Sequence, residues 1–517
     1  MAMRFKLTSF CGVGLMVLLA SGAALPAQEE TFVSYEKFGA VGDGKTDDQA
    51  AIVKAHAYAN EKGLPVKVAD DKTYYIGGGK SPIIIKTDTD FGKAHFIIDD
   101  RHVENRGVGV FHVSPSINNI KVEGVTTLKR GQTNIGVKLP YDCIIRAMNA
   151  KVKRYIRYGA NQNNGQAQTE VFIADRDGNV DPKAPIVWDF DEITSLEAYP
   201  MDDKTLTLKG GIFKTIANQA ESKYTYYNRG FIIRRSRVIV EDMRHEVEGE
   251  LDHGAPYSGF LTISQCANIL VRNTVLTGRK MYGTIGSAKV PVNMGSYDIS
   301  INTAINVTFK DCSQTNDIKD RRYWGILGSN YCKNLTYDGC VFSRFDAHMG
   351  VANATIKNSV MGHMGINAIG FGTLLVENTT IYGGSMVNLR SDYGSTWEGE
   401  FIFRNCVFVP SAGRKVTAYL VNGSYSGQHD FGYQCYMPRK ILFENVKIED
   451  SNHPDDYNGP VIFGNFNRKN TSAEYVEKYP YIKTEEVILR NVTTASGKEV
   501  GLSPNPYMFK DVKVVRE

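Results

Sequence analysis

The chain has 517 residues, a formal net charge of +4 and a charged fraction of 22%. A hydrophobic fraction of 42% is enough for a large folded core, which excludes an intrinsically disordered chain. The charge is nearly balanced and no basic platform with interleaved aromatic residues is visible, so we expect no nucleic-acid partner.

Residues 1–27 have the pattern of a secretory signal. Arg4 and Lys6 give a positive start, GVGLMVLLA is an apolar run, and Leu25-Pro26-Ala27 ends in a cleavage site. The apolar run is too short to span a bilayer, so we expect no membrane span. The sequence therefore predicts a secreted or periplasmic mature chain, residues 28–517, folded as a single domain.

The first part of that domain, residues 31–130, is predicted to form an N-terminal cap and the first strands. The run FGAVGDGKTDD ends at Asp48, and Thr46 with Gln49 has the spacing of a capping box that starts a helix. Ala51, Ile52 and the alanines that follow give this helix one apolar face. We expect the helix to close the open end of a stacked sheet.

Residues 140–228 depart from the rest of the chain. ADRDGNVDP and AYPMDDKTLTLKGG are typical hairpin turns, flanked by short apolar runs. We interpret this region as a β-rich elaboration that walls one end of a groove.

Residues 229–517 repeat a short pattern of alternating apolar and polar residues followed by Asn or Asp. The clearest markers are Asp338, Asn358, Asn378 and Asn405, which are 20, 20 and 27 residues apart. Alternation over four or five residues predicts strands, and a period of this length without room for a helix predicts a solenoid made only of strands and turns. The predicted fold class is therefore all-β, a parallel β-helix whose Asn and Asp residues form a ladder. We expect the ladder to be a packed stack, in which a Lys in place of Asn378 would be a costly unpaired charge.

The mature chain keeps seven cysteines, and several recur beside the marker position. Cys266, Cys312, Cys340 and Cys406 are examples. Because free cysteine behaves as a small buried residue and the count is odd, we predict core thiols before disulfides.

These motifs resemble a known superfamily. FGAVGDGKTDD with its Ala/Ile helix resembles the N-terminal cap of the pectate-lyase-like, right-handed parallel β-helix superfamily of carbohydrate-active enzymes. The stretch from HGAPYSGFL through RRYWGILGSNYC to FDAHMGVANATIKNS is similar to β-helix lyases that cleave glycosaminoglycans such as chondroitin, dermatan or hyaluronan. The resemblance implies an acidic polysaccharide as partner and cleavage by β-elimination. From Arg272 to Lys357 there are eleven Lys or Arg and six Asp, a local charge of +5 that suits an acidic polymer.

Aligned strand starts place His348 and Asn367 one above the other on an outer face. β-Elimination needs a base for the C5 proton, an acid for the leaving oxygen and donors that neutralise the carboxylate. We predict that His348 or Tyr323 is the base and that Tyr257 or His253 is the acid. Carboxylate neutralisation is assigned to Arg322 or Arg344 with Asn367. The predicted substrate-binding residues are Arg321, Trp324, Asn367, Asn388 and Arg390.

Two other functions stay open. A glycoside hydrolase on the same scaffold would need two facing carboxylates, and Asp346 and Asp392 are the acids nearest the aligned column. A non-catalytic carbohydrate-binding adhesin needs neither. The acidic run from His245 to His253 could hold Ca²⁺, although a solvated loop explains it better, so no metal site and no cofactor are assigned. We expect a monomer.

Overall fold

Stacked parallel strands make up most of the chain. The structure is a computed structural model that describes residues 1, 30–79, 81–410 and 415–517. Residues 2–27 of the predicted signal segment lie outside the described residues. All of the strands among the described residues belong to one compact unit, Phe32–Glu517.

The largest sheet has 21 strands and covers two faces of the solenoid, because several long strands run through the turn between them. Its strands are Asp43–Asp47, Val66–Lys67, Thr73–Ile76, Thr89–Asp99, Leu206–Ile216, Val238–Glu241, Arg244–Glu248, Ala267–Arg272, Val275–Leu276, Ile305–Lys310, Ser313–Gln314, Lys333–Asp338, Val341–Phe342, Val351–Lys357, Val360–Met361, Gly370–Glu377, Thr380–Gly383, Trp397–Pro410, Lys440–Ile448, Glu486–Thr494 and Lys513–Arg516.

A sheet of 11 parallel strands forms the third face. In spatial order its strands are Ile83–Ile85, Phe111–Val113, Phe231–Ile233, Leu261–Ser264, Ile299–Asn302, Leu327–Asn330, Phe345–Met349, Ile366–Ala368, Ser385–Leu389, Tyr419–Asn422 and Val461–Phe463. Three faces of parallel strands that wind around one core are a right-handed parallel β-helix, so the predicted fold class is confirmed.

Alternation along each strand builds this core. In Lys440–Ile448, for example, Ile441 and Phe443 are fully buried while their neighbours are not. The Phe443 ring stacks on Phe403 of the preceding rung, with centroids 5.2 Å apart. Burial of a large apolar side chain contributes about 1.5–3 kcal/mol, so repetition over many rungs drives the stacking.

The predicted ladder is present at the turn between the first two faces. Asn358, Asn378 and Asn405 have φ angles of 53°, 48° and 51°, in the left-handed region that Asn tolerates. The Asn378 side-chain nitrogen donates to the Asn358 side-chain oxygen at 3.1 Å, and Asn405 donates to Asn378 at 3.1 Å. The ladder side chains are exposed, however, so the expectation that they sit in a packed interior is wrong.

Because the ladder is exposed, backbone conformation decides how well it tolerates substitution. We expect Asn378→Gly to be mild, since Gly adopts a positive φ at no steric cost. Asn378→Val should lower the free energy of unfolding by about 1–3 kcal/mol more than Asn378→Gly, since a β-branched residue is strained at φ 48°. Urea titration of both variants measures the difference. Equal stability of the two would show that the turn does not require this conformation.

The N-terminal helix spans Gln49–Lys62, and its buried residues include Ile52, Ala55 and Ala59. It packs against the start of the core as expected, but the predicted capping box does not form. Thr46 belongs to the preceding strand, and Asp48 occupies the N-cap position. The Asp48 carboxylate instead accepts hydrogen bonds from the backbone N–H groups of Val41 and Gly42 at 2.6 Å and 3.2 Å, which fixes the glycine-rich turn.

The seven cysteines among the described residues are all free and buried, which confirms the predicted core thiols. Cys312 and Cys340 illustrate their packing, since both thiols lie in the core shared by all three faces. No helix among the described residues is both long enough and apolar enough to cross a bilayer.

The β-rich elaboration begins earlier and ends earlier than the predicted 140–228. It is an antiparallel sheet of four strands, and Leu206–Ile216 already belongs to the solenoid. The four strands are Ile120–Lys121, Cys143–Arg154, Gln166–Ala174 and Ser195–Pro200. Two further pairs of short strands decorate the loops: Tyr282–Ile285 with Pro291–Met294, and Cys435–Tyr436 with Tyr481–Ile482.

A buried ion pair fixes the elaboration to the solenoid. The Lys333 ammonium group lies 2.7 Å from the Glu170 carboxylate, and both side chains are at most 3% exposed. The same carboxylate accepts hydrogen bonds from the backbone N–H groups of Val187 and Trp188. The elaboration therefore has a fixed position over the rungs that carry the site described next.

Candidate functional site

His348 is the extra residue of a β-bulge in the 11-stranded sheet. Ser329 pairs with Ala347 and Asn330 pairs with Met349, so His348 has no partner of its own on the preceding strand. Bulges of this kind redirect a side chain and are frequent beside active sites. The His348 Nδ1 atom lies 2.8 Å from the Asn330 side-chain oxygen, and the ring contacts Tyr393 edge to face at 5.3 Å.

The hydrogen bond to Asn330 selects one tautomer of this histidine. With the amide oxygen as acceptor, Nδ1 carries the proton and Nε2 keeps its lone pair. Burial and the nearby positive charge of Arg390 lower the pKa of His348 to about 3. The imidazole is therefore neutral at physiological pH and can accept a proton at Nε2.

A chain of alternating charges lies beside His348. The Arg390 guanidinium bridges two carboxylates, with Asp346 at 3.0 Å and Asp392 at 2.9 Å. Arg344 also pairs with Asp346, at 2.6 Å, and Arg157 pairs with Asp392 at 2.8 Å. Three guanidinium groups against two carboxylates leave a surplus of one positive charge.

Both carboxylates of this network are held ionised. Burial alone would raise the pKa of Asp346, but Arg344 and Arg390 outweigh it, so the pKa lies below its ordinary value. Asp392 is lowered in the same way, because Arg390 outweighs the effect of burial. Neither carboxyl group retains a proton at neutral pH, which removes both as general acids.

The outer end of the network is open to solvent. The Arg390 side chain is 14% exposed, Asp392 20% and Arg157 21%, whereas Arg344 and Asp346 are covered. Arg157 comes from the elaboration, whose backbone is tied to the same place: the Tyr158 N–H donates to the Asp392 carbonyl at 2.9 Å. The site is thus built where the elaboration meets the 11-stranded sheet.

The observed strand register differs from the predicted alignment. Asn367 pairs with Asp346, not with His348, whereas the bulge lies in the pairing with the preceding strand Leu327–Asn330. Asn388 continues the column: its side-chain nitrogen donates to the Asn367 oxygen at 2.9 Å, and Asn367 donates to the Met364 carbonyl at 2.8 Å. On its own strand this column is continued by Asp346, so His348 lies two residues beyond the column.

Tyr257 is not accessible to a substrate. It is 2% exposed, its hydroxyl donates to Asp100 at 3.1 Å, and the Arg279 guanidinium covers its ring at 4.2 Å. Burial raises the pKa of this tyrosine well above its ordinary value. The predicted acid role conflicts with this position, which serves the packing of the early rungs. His253 is exposed on the loop that leads to Tyr257 and lines neither of the clefts described below.

The residues of the loop Arg321–Trp324 do not all lie at the same site. Tyr323 lines a different cleft of about 350 Å³, together with Glu250 and Lys280. Arg321 and Arg322 are exposed, and Arg322 pairs with Asp320 at 2.5 Å. Trp324 turns the other way, beneath the Arg344 guanidinium at 5.0 Å. Of the predicted catalytic and substrate-binding residues, His348, Arg344 and Arg390 lie together in the site. Trp324 contacts Arg344, and Asn367 pairs with Asp346, so both lie beside the site.

The sequence pattern does not predict several residues of the site. Arg157, Asn330, Tyr393 and Tyr297 are examples. The Tyr297 ring lies against Gly328, where an added Cβ atom would stand 3.4 Å from it, and the side chain is close enough to Arg390 to interact with it. Only one signal was visible beforehand: Arg344–Asp346 and Arg390–Asp392 repeat the same Arg-x-Asp spacing on nearby rungs.

The acidic run from His245 to His253 does not converge on one point. His245 is fully buried, with Nδ1 at 2.7 Å from Asp298 and Nε2 at 2.9 Å from Thr215. Glu246 pairs with Arg244 at 2.7 Å, and Glu250 faces Arg279 at 3.9 Å. Within the described ranges no three His, Cys, Asp or Glu residues are grouped so that they could hold a metal ion.

Known proteins share the fold more clearly than the sequence. No family model matches the chain. A capsule KL64-specific depolymerase of Klebsiella phage P510 is 26% identical over 132 residues, which is 23% of this chain and only 12% of that relative. The tailspike gp61 of Pseudomonas phage phi297 is 12% identical with a TM-score of 0.56, over 94% of this chain and 84% of the tailspike chain. The gp54 tailspike of Acinetobacter baumannii phage AP22, solved with a capsular saccharide, is 11% identical with a TM-score of 0.49, over 93% of this chain and 79% of that one. The phi297 tailspike supports the parallel β-helix fold.

Proposed function

We propose that the chain is a polysaccharide lyase that cleaves a polymer containing uronic acid by β-elimination, with glycosaminoglycans such as chondroitin sulfate, dermatan sulfate or hyaluronan as the substrate class. One observation carries the proposal: a surplus positive charge, shared by three arginines, lies beside a neutral histidine with a free nitrogen. The sequence likeness to a capsule depolymerase supports a polysaccharide as substrate. The predicted secretory signal supports action outside the cytoplasm.

The surplus charge explains how the C5 proton becomes removable. The side chains of Arg390 and Arg157 are partly exposed to solvent. There they neutralise the substrate carboxylate and stabilise the enolate that forms on it. An acidic sugar bound there also cancels part of the charge that lowers the pKa of His348. The base therefore becomes stronger when the substrate is in place.

The step can be written with the residues of the site. His348 Nε2 takes the C5 proton, the electron pair forms the C4–C5 double bond, and the bond from C4 to the glycosidic oxygen breaks. Tyr297, which is half-exposed beside Gly328, donates a proton to the leaving oxygen and replaces Tyr257 in the predicted role. Solvent then reprotonates Tyr297 and deprotonates His348. All of these groups come from one chain, so we propose an active monomer.

The histidine pKa gives a testable pH dependence. The ratio kcat/KM reports the free enzyme, in which His348 has a pKa of about 3. Because the base is active when unprotonated, we expect no loss of kcat/KM through protonation of His348 between about pH 8 and about pH 5, where an ordinary histidine titrates. Initial rates at low substrate concentration measure this. A fall in kcat/KM centred near the ordinary histidine value would contradict the proposed environment.

A second candidate function is supported by the cleft that Tyr323 lines. Two of its carboxylates have opposite pKa shifts: burial raises the pKa of Glu250, while the hydrogen bond from Arg244 lowers that of Glu246. A pair of this kind can divide the acid and base roles of glycoside hydrolysis. We rank it second, because the Glu250 carboxylate already faces Arg279.

The two functions differ in their products. Elimination gives an unsaturated uronate that absorbs in the ultraviolet, whereas hydrolysis gives new reducing ends without that absorbance. We propose to test chondroitin sulfate, dermatan sulfate, hyaluronan, alginate and polygalacturonate in turn, with His348→Ala and Glu250→Gln as paired variants. The lyase is supported if the ultraviolet absorbance is lost in His348→Ala and kept in Glu250→Gln. Reducing ends without absorbance, lost in Glu250→Gln alone, would replace it by the hydrolase.

A further inference from the structure

A second groove lies where the elaboration meets the start of the strand Trp397–Pro410. Two cavities of about 100 Å³ and about 400 Å³ share Arg130, Glu398 and Tyr436, so they form one continuous depression, which we call the aromatic groove. Its aromatic lining is Trp188, Phe371, Tyr433 and Tyr436, and Tyr155 closes the narrow end.

The rings of the aromatic groove are held in place by their neighbours. Trp188 contacts Phe371 edge to face at 5.1 Å, and the Arg154 guanidinium lies over Trp188 at 4.9 Å. The Tyr433 hydroxyl donates to the Tyr393 carbonyl at 2.7 Å. Rigid, half-exposed rings in a concave surface suit the apolar face of a sugar, because little conformational entropy is lost on contact.

The charges of the aromatic groove are balanced, unlike those of the candidate active site. Arg130 pairs with Glu398 at 2.8 Å, and Arg439 pairs with Glu485 at 2.8 Å. Each pair offers both donors and acceptors, which neighbouring hydroxyl groups of a sugar can use. A uronate or a sulfate would gain no surplus positive charge here and would meet Glu398 and Glu485 at close range.

The aromatic groove is also close to His348. Tyr155, which lines its narrow end, contacts Tyr393 at 5.9 Å, and Tyr393 contacts His348 at 5.3 Å. Two ring contacts therefore separate the groove from the proposed base, a span that one polymer chain can cover.

We infer that the aromatic groove binds an uncharged sugar residue, a hexose or an N-acetylhexosamine, of the same polymer whose acidic residue is bound beside His348. The identity of the polymer rests on the proposed function, but binding of an uncharged sugar does not. The two sites together would select a polymer in which acidic and uncharged sugars alternate.

Fluorescence tests this binding without any need for catalysis. The chain has three tryptophans, and Trp188 is the one that lines the groove, while Trp397 is fully buried. We would titrate the wild-type protein with N-acetylglucosamine, N-acetylgalactosamine, galactose and cellobiose at millimolar concentrations, and with trigalacturonate as the acidic probe. At least one uncharged sugar should change the emission, and Trp188→Phe should abolish that change.

A second variant tests the same binding in case Trp188→Phe does not fold. Tyr436→Ala should weaken binding of the same sugar by about three- to tenfold, the size of one aromatic contact, while Tyr507→Ala on the exposed surface should leave it unchanged. An unchanged emission with every uncharged probe would overturn the inference. The inference would also be overturned if trigalacturonate bound at Trp188 as tightly as the uncharged sugar, or if Tyr436→Ala bound the uncharged sugar as tightly as the wild type. A protein that binds the sugar but forms no unsaturated product would refute the lyase alone.

Discussion

Replacement of His348 by alanine should lower kcat for the unsaturated product by about 10² to 10⁴, the usual contribution of a general base. Among the described residues the imidazole has one side-chain hydrogen bond, to Asn330, and one ring contact, to Tyr393, so the fold should persist. Asn330→Ala should give a smaller loss, because it removes the partner that fixes the tautomer and leaves the imidazole in place. Steady-state rates on the preferred polymer, with near-ultraviolet circular dichroism as a check on folding, measure both effects.

His112 provides the matched control for that experiment. It is half-buried on the same 11-stranded sheet, and it pairs with Ile84 and Ile232, far along the sheet from the arginine network. His112→Ala should therefore keep wild-type kcat. If His348→Ala and His112→Ala have the same activity with both folds intact, then His348 is not the base.

Glu170→Ala should lower the free energy of unfolding by about 3–5 kcal/mol, the cost of leaving a buried charge without its partner. Lys333 is 3% exposed, and burial already lowers its pKa, so the ammonium group depends on this carboxylate. The N–H groups of Val187 and Trp188 lose their acceptor as well. Guanidinium unfolding followed by fluorescence measures the change.

Two controls show whether burial causes that loss. Lys151 and Glu192 form an ion pair whose side chains are 69% and 51% exposed, so Glu192→Ala should cost less than about 1 kcal/mol. The double variant Glu170→Leu with Lys333→Met should recover much of the stability, because apolar residues of similar volume often replace a buried pair without loss. A loss below about 1 kcal/mol for Glu170→Ala would mean that the pair does not hold the elaboration in place.

The fold could be predicted because its signals are local and repeated. The markers Asn358, Asn378 and Asn405 recur at rung spacing, and each needs only its own turn to adopt a positive φ. Alternation in a short strand likewise decides which side chains enter the core. The exposure of the ladder could not be read from the same pattern, because an Asn in the left-handed region fits an exposed turn as well as a buried one.

The site was predicted only in part, because its assembly depends on long-range geometry. The bulge at His348 shifts the pairing with the preceding strand by one residue after Ala347, and nothing in FDAHM marks the extra residue. Arg157 reaches Asp392 from the elaboration, a contact between segments that are far apart in sequence. Tyr257 has the residue type expected of an acid, yet packing around Asp100 and Arg279 covers it. The sequence therefore predicted the types of residue in the site better than their positions. The structure provides the expected His, Arg and Tyr side chains, but some of them come from other positions in the chain.

The oxygen balance of the reaction tests the central claim most directly. Digestion of the preferred acidic polymer in oxygen-18 water, followed by mass spectrometry of the fragments, shows whether solvent oxygen enters the product. Elimination breaks the bond from C4 to the glycosidic oxygen without adding water, so we predict fragments with an unsaturated uronate, no label incorporated by cleavage, and their loss in His348→Ala. Fragments that gain one labelled oxygen at each cleaved linkage, formed equally by His348→Ala, would contradict the lyase and its site.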